Sequence, residues 1–521
     1  MNRWVHMTSA FTAPSLSGKL YIYISLACAQ NLIFGENQHQ RNEAVSAHYI
    51  NPPGCQRRQS TTGHSDSAKD VFSGILASNQ DTSRVMIQGD IAVRRNRNAL
   101  SCPGKSCLWV KSADGLVPVP YRLSDNYTSD EKEVIKGAMD ELMVLTCIRF
   151  VVHTIEPNYL RIHPADGCWS YIGRVGGAQD ISIMKTGCLH RGIVQHELLH
   201  SLGFQHEQCR SDRDKYIRIN WGNINQDKER NFYKLSTQNL GIPYDYQSVL
   251  HYGKYAFAND AGKPTLEPTG NPGAAIGQRV GLSSLDVVKI NTLYQCSLCA
   301  YLLPDPRGGF SLQPGQQHPN ISKCTWLIRV PEGKVFLQIE SNSTKSSQTC
   351  AFGNIKVYDG ASRESPLIPG KTCGATQPLW VMSTENLMRV EFEKRNEKIN
   401  FKAAYASASC GGFLSSPAGN FSTPGFPSKY PIAVDCFWII SATPGNKIMV
   451  SIAPFNLESS PRCSYDYLLI RDGRKQRKKC GLIPTLRVAS SGPSLLLHFH
   501  SDASVQADGF HATYVFAAIA P

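Results

Sequence analysis

No run of eighteen or more apolar residues occurs in this 521-residue chain, which argues against a membrane-spanning helix. Acidic side chains are the scarcer charge, 41 against 54 basic ones, so the formal net charge is +13. That imbalance favours acidic partners such as anionic glycans or an acidic extracellular coat. Its densest run, Arg474, Lys475, Arg477, Lys478 and Lys479, also fits a solvated loop, because blocks of like charge repel and stay in water. Residues 30–97 lack long periodic apolar runs and are rich in Ser, Gln and Asn, the texture of a propeptide.

What is present indicates a folded, multidomain, exported protein. The composition is 41% hydrophobic and 18% charged, ordinary for globular chains, and the length predicts three or four units. Lys19 precedes an apolar stretch at 20–27, and Ala27-Cys28-Ala29 has the small-x-small form of a signal-peptidase site, with Met7 as an alternative start. Export suits the 17 cysteines, which predict a disulfide framework, and the four sequons at Asn126, Asn320, Asn342 and Asn420. It argues against nucleic acid as a partner. The cluster Arg94-Arg95-Asn96-Arg97 offers a cutting site to a trypsin-like or furin-like protease, leaving Asn98 as the mature N-terminus.

From Cys102 to Cys296 the pattern is mixed α and β. Thr128 or Ser129 can cap a helix whose apolar residues Val134, Ile135, Ala138, Met139, Leu142 and Leu145 recur at three-to-four spacing, and 148–153 reads as a strand. A second helix over 193–202 has a wide apolar face and a stop at Gly203. Beyond Cys296 a unit repeats. Cys324-Thr-Trp326, Val357-Tyr-Asp-Gly360 and Phe401-Lys-Ala-Ala-Tyr405 parallel Cys436-Phe-Trp438, Ile470-Arg-Asp-Gly473 and Phe510-His-Ala-Thr-Tyr514. Short alternating strands such as 335–339 and 494–499 predict two antiparallel β-sandwiches.

The chemistry lies in His196-Glu197-Leu-Leu-His200-Ser-Leu-Gly203-Phe-Gln-His206. Two histidines four apart on a helix lie on one face, and Gly203 can take the positive φ that brings His206 back as a third ligand. Three imidazoles leave a fourth position for water, the mark of a catalytic rather than a structural zinc site. Zinc acidifies that water and polarises a carbonyl, and Glu197 beside the first ligand can take the proton. The expected reaction is metal-assisted peptide hydrolysis with no covalent acyl-enzyme. The long pattern is that of the metzincins.

The stretch His196–Asp214, HELLHSLGFQHEQCRSDRD, resembles the astacin family, as do Cys168-Trp-Ser170, Gly187-Cys188 and Pro243-Tyr-Asp-Tyr-Gln-Ser-Val249. The resemblance implies an α+β fold, with a two-lobed zincin (metzincin) protease domain at 98–296 behind a signal peptide (1–29) and propeptide (30–97). It implies that Tyr252 stabilises the oxyanion and that Asp90, in MIQGDIAV, is a zymogen switch at the zinc. It further implies bridges Cys147–Cys296 and Cys168–Cys188, and Cys102–Cys107 as in hatching-enzyme members. Leu250 stands where the family's Met-turn has methionine; the two are similar in volume, so packing beneath the metal should mostly survive.

The repeats resemble CUB domains, all-β jelly-roll sandwiches at 299–405 and 410–516, usually binders of proteins or glycans. The resemblance pairs Cys299 with Cys324, Cys350 with Cys373, Cys410 with Cys436, and Cys463 with Cys480. Glu458, Asp466 and Asp502 match the calcium ligands of such modules, whereas Gly353 and Arg395 interrupt that set in the first copy, so Ca²⁺ is expected in the second only. Cys28, Cys55 and Cys209 are left over; Cys209, which stays in the mature chain, is either an inert buried thiol or a handle for intermolecular pairing. An astacin domain with two CUB modules looks most like an embryonic hatching enzyme. That likeness implies secretion, with storage in secretory granules, and cleavage of egg-envelope glycoproteins. Two other readings stay open: a tolloid-like processor of matrix or growth-factor antagonists, whose tails are longer, and a binding protein with a silent protease domain.

Overall fold

A computed structural model describes residues 70–93, 106–278, 280–312, 323–341, 355–368, 378–393 and 401–519. The signal segment, most of the propeptide, the basic cluster at 94–97, Cys102, Asn320, Asn342, Cys350, Gly353, Cys373 and Arg395 lie outside these residues.

The protease half is built on a seven-stranded sheet. Ile148–Val152, Val117–Leu123, Tyr159–His163 and Ala178–Ile183 run parallel, and Cys168–Ser170 is antiparallel beside Ala178–Ile183. Strands Ile91–Ala92 and Met86–Ile87, from the segment expected to be a propeptide, complete the sheet, with Ile91 pairing parallel to Ser170. Helix Ser129–Leu145 starts at a capping box in which Thr128 and Glu131 bond each other's backbone, and its expected apolar stripe is buried except for Val134, which is 37% exposed. The helix carrying the histidines, Arg191–Ser201, is buried along nearly its whole length and ends at Leu202 before Gly203. A third helix, Ser284–Leu293, closes the domain, and Cys147–Cys296 and Cys168–Cys188 are bonded.

One element goes beyond the sequence expectation. Ahead of the basic cluster, Val71–Ser78 forms a helix capped by Asp70, and it buries Phe72 and Ile75 fully against the protease core. Eight residues give too short a periodic run to stand out, and such a helix owes its stability to packing rather than propensity.

Each tail module is a two-sheet sandwich. In the first, Cys299–Leu303 runs parallel to Lys323–Arg329 with Cys299 opposite Cys324, and a disulfide joins the pair. The second repeats this with Cys410–Leu414, Asp435–Ser441 and the bridge Cys410–Cys436; Cys463–Cys480 is also bonded. Each copy buries its own core around Trp326 or Trp438. Only Ser297 and Leu298 separate the last cysteine of the protease from the first of the tail, and Leu302, Leu327 and Leu387 of the first module pack into the protease core. The two modules meet through Phe336, Trp380, Phe437, Ile439 and Leu496, with the rings of Phe336 and Phe437 stacked at 4.1 Å.

Candidate active site and metal centre

His196 and His200 face one point from successive turns of their helix, and Gly203, at φ +102°, turns the chain so that His206 meets them. A Cβ on Gly203 would stand 3.0 Å from Leu108, so both the backbone conformation and the space favour glycine. His196 Nε2 lies 3.1 Å from the Nε2 atoms of both His200 and His206. The opposite nitrogens are all engaged: His196 Nδ1 with the Val249 carbonyl, His200 Nδ1 with the Phe204 carbonyl and His206 Nδ1 with Gln88 Oε1, each at 2.8 Å. Those oxygens can only accept, so each Nδ1 carries the proton and three Nε2 lone pairs face one another.

Lone pairs at such distances repel unless a cation sits among them. Zinc–nitrogen bonds of about 2.0–2.1 Å in a tetrahedron put the ligand atoms about 3.3 Å apart, so the buried set fits zinc. Asp90 supplies the fourth corner. Its Oδ2 lies 2.8 Å from His196 Nε2, 3.2 Å from His206 Nε2 and 3.6 Å from His200 Nε2.

Glu197 lies beside this cluster, wholly buried, with neither carboxylate oxygen hydrogen-bonded; Asp90 Oδ1 is likewise without a partner. Burial, reinforced by the Asp90 charge, pushes the Glu197 carboxyl well above its usual range. Tyr252 donates its hydroxyl to the Gln88 carbonyl at 2.6 Å, and its ring stacks on Phe72 at 3.8 Å. Leu250 is buried in the turn below, where its carbonyl accepts from the Glu207 backbone and Asp286 holds Ser248 and Val249. Leucine thus occupies the Met-turn position without opening the turn.

The segment 70–93 threads this cleft. Asn79 donates to the carbonyls of Gly89 and Cys168 and accepts from the Cys168 backbone, clamping the segment to strand Cys168–Ser170. Gln88 and Gly89 both have positive φ, and a Cβ on Gly89 would stand 2.8 Å from Leu76 and 3.0 Å from Phe72. Sequence reasoning found Asp90 but missed Gln88 and Phe72. The one local signal for Gln88 was the glycine after it, which marks a turn.

The remaining expected residues fall as follows. Glu458, Asp466 and Asp502 come together in the second module, with their ligand atoms within 4.8 Å of one another. Asp466 accepts from Tyr430 and from the Asp502 backbone, while Glu458 Oε2 is buried without a partner. Cys209 is free and buried, and burial pushes its thiol up to about 12. Behind the site Glu207 accepts from Lys289 at 2.7 Å and Arg210 at 3.0 Å.

Comparison with known proteins agrees with this geometry. Residues 108–295 match the peptidase family Astacin, and residues 299–405 and 410–514 each match the CUB domain. The chain is 42% identical over 455 residues to embryonic protein UVS.2 of Xenopus laevis, across 86% of this chain and 88% of that one. It is 47% identical over 231 residues to high choriolytic enzyme 1 of Oryzias latipes, covering 44% and 86%. The solved structure of that hatching enzyme zinc-protease aligns at 48% identity with a TM-score of 0.37, over 38% of this chain and all of the other. Tolloid-like protein 2 of Homo sapiens is 35% identical over 414 residues, 76% of this chain and 40% of that protein. With residues 108–295 matching that peptidase family and a relative 42% identical along 86% of its length, the chain belongs to the astacin family of metalloendopeptidases and carries two CUB domains.

Proposed function

We propose that the chain is exported as a latent precursor and, once cut after the basic cluster at 94–97, hydrolyses peptide bonds of extracellular glycoproteins, with the egg envelope as substrate. The carrying observation is the meeting of three Nε2 atoms beside a buried carboxylate that has no other partner. Zinc held by His196, His200 and His206 would supply Lewis-acid polarisation of the scissile carbonyl and an acidified water. Glu197, whose burial raises its proton affinity, takes a proton at its carboxylate and delivers it to the leaving amine. The Tyr252 hydroxyl, which donates here to the Gln88 carbonyl, has the direction needed to donate to an oxyanion once the propeptide leaves.

Latency follows from the same contacts. Asp90 occupies the corner where water would sit, and Phe72 covers Tyr252. In the second CUB domain, the orphaned oxygen of Glu458 beside Asp466 and Asp502 supports a calcium site. The sequons at Asn126 and Asn420 fall on exposed residues, which supports export. The hatching role draws on the likeness to a choriolytic enzyme and to an embryonic protein along most of the chain; the likeness to a tolloid-like protein keeps matrix processing as the second reading.

Protein cut by trypsin is assayed on a peptide with and without chelator, beside a Glu197→Ala control. It is then incubated with isolated egg envelopes and with collagen precursors. Chelator-sensitive softening of envelopes is expected. Activity equal to that of the Glu197→Ala control would favour a silent binding protein, and cleavage of collagen precursors alone would favour the tolloid-like role.

A further inference from the structure

The second CUB domain carries a cluster that neither catalysis nor the calcium reading uses. His498 and His500 are two apart on strand Ser494–His500, so alternation sends both imidazoles to one face of the sheet. On the neighbouring strand Asp435 is the register partner of His500 and shares that face. The three converge on one atom: Asp435 Oδ1 lies 2.7 Å from His498 Nε2 and 2.8 Å from His500 Nδ1. The side chains of Asp435, His498 and His500 are 19%, 16% and 27% exposed, walled in yet open on one side.

We propose that Asp435, His498 and His500 form a second transition-metal site that takes Zn²⁺ at the seam between the two CUB domains. Two imidazoles and one carboxylate match the ligand preference of zinc rather than calcium, which takes oxygen ligands, and the open side leaves a fourth position for water. Donor atoms on one zinc stand about 3.3 Å apart, so the carboxylate need retreat from the rings by only about half an ångström. The rings are already oriented, because Phe437 stacks on His498 at 4.1 Å and Tyr467 lies 5.0 Å from His500.

Two arginines oppose the ion. Arg307 of the first domain reaches Asp435 Oδ2 at 3.5 Å, but its side chain is 73% exposed and such a surface pair yields readily. Arg471 is committed to Gln338 across the seam at 2.6 Å. The location gives the site a role. Phe437 is stacked on Phe336 of the first domain as well as on His498, so an ion that pins His498 also pins the ring on which the two domains meet.

The test counts zinc on the full-length processed protein. Wild type and a His498→Gln/His500→Gln variant are dialysed against micromolar free zinc chloride in calcium-saturated buffer, and bound metal is measured by mass spectrometry. Wild type should hold one more equivalent than the variant, while chelator-sensitive peptidase activity is equal in both. Equal zinc in the two proteins overturns the site. Because the variant could unfold the seam, wild-type crystals grown with zinc provide the second measurement. An anomalous peak among Asp435, His498 and His500 is expected, and its absence when the catalytic histidines show one also overturns the site. The two sites are counted separately, so failure of the protease reading would leave this difference intact.

Discussion

Arg329, on a strand of the first CUB domain, lies 2.8 Å from Glu141 on the long helix of the protease domain, and the two side chains are 2% and 0% exposed. The other Glu141 oxygen is 3.1 Å from Arg191, the first residue of the helix that carries His196 and His200. Arg329 also donates to the Leu282 carbonyl, and the Leu282 backbone N–H donates to Gln195, next to His196. A tail residue is thus wired to the first turns of the helix that carries the histidines, through Arg191 and Gln195, which lie one turn apart on one face.

Removing one partner of a buried ion pair strands the other charge, which costs about 3–5 kcal/mol, whereas an apolar pair of similar volume is tolerated. In a Glu197→Ala background that prevents self-cleavage, Arg329→Met should lower stability to urea by that amount. Adding Glu141→Leu should restore much of it. Equal midpoints for single and double variants would show that the pair carries no such coupling.

Asp90→Ala removes the carboxylate that closes the histidine cluster, and a coupling of about 1.5–3 kcal/mol between that segment and the site is the usual size for one site acting on another. The uncut variant precursor should then cleave a small peptide roughly 10- to 150-fold faster than the uncut wild type, with rates equal after trypsin. No gain before cutting would remove Asp90 from the latency mechanism.

Calcium at about a hundred times its dissociation constant should stabilise the second CUB domain by about 2.7 kcal/mol, visible as a raised melting temperature. Asp466→Asn should abolish the shift. A shift that persists in this variant would place the ion elsewhere.

With its thiol pushed up to about 12, Cys209 should be almost entirely protonated at about pH 8. Alkylation of the native processed protein should be roughly a thousandfold slower at Cys209 than after unfolding in urea, read from the modified peptide. Rapid native alkylation would contradict the inert-thiol reading and favour a reactive handle.

Asp180 accepts from Arg161 at 2.6 Å and from His163 at 3.2 Å. Burial pushes its carboxyl up, but these hydrogen bonds and the charges behind them win and hold it well below the usual carboxylate range. A carboxyl depressed in the folded state adds stability that is complete above its unfolded value of about 3.9 and is lost as pH falls through the folded one. Discounted for solvent around Arg161, whose side chain is 53% exposed, the gain is about 1–2 kcal/mol. The stability gap between wild type and Asp180→Asn should therefore narrow as pH drops from about 5 toward 2, and a constant gap would refute the assignment.

The sequence made legible whatever is local or repeated. His196, His200 and Gly203 follow from helical spacing and a turn, the 129–145 helix from its periodicity and cap, and the two sandwiches from their parallel motifs. The rest depends on contacts between distant segments. Arg329 and Glu141 are 188 residues apart, and Asp435 is 63 from His498, so nothing in the neighbourhood of any of them announces its partner. Phe72 sits in a segment whose composition hides a helix that exists only against the protease core.

The junction has a mechanical consequence. With bridges ending at Cys296 and beginning at Cys299, two intervening residues and a shared apolar core, the tail is a bracket rather than a tether. A macromolecule gripped by the tail meets the catalytic cleft at a set reach and angle. Scission would then recur at a fixed distance from the point of grip, as a ruler dictates, instead of wandering over whatever bonds a flexible leash could touch.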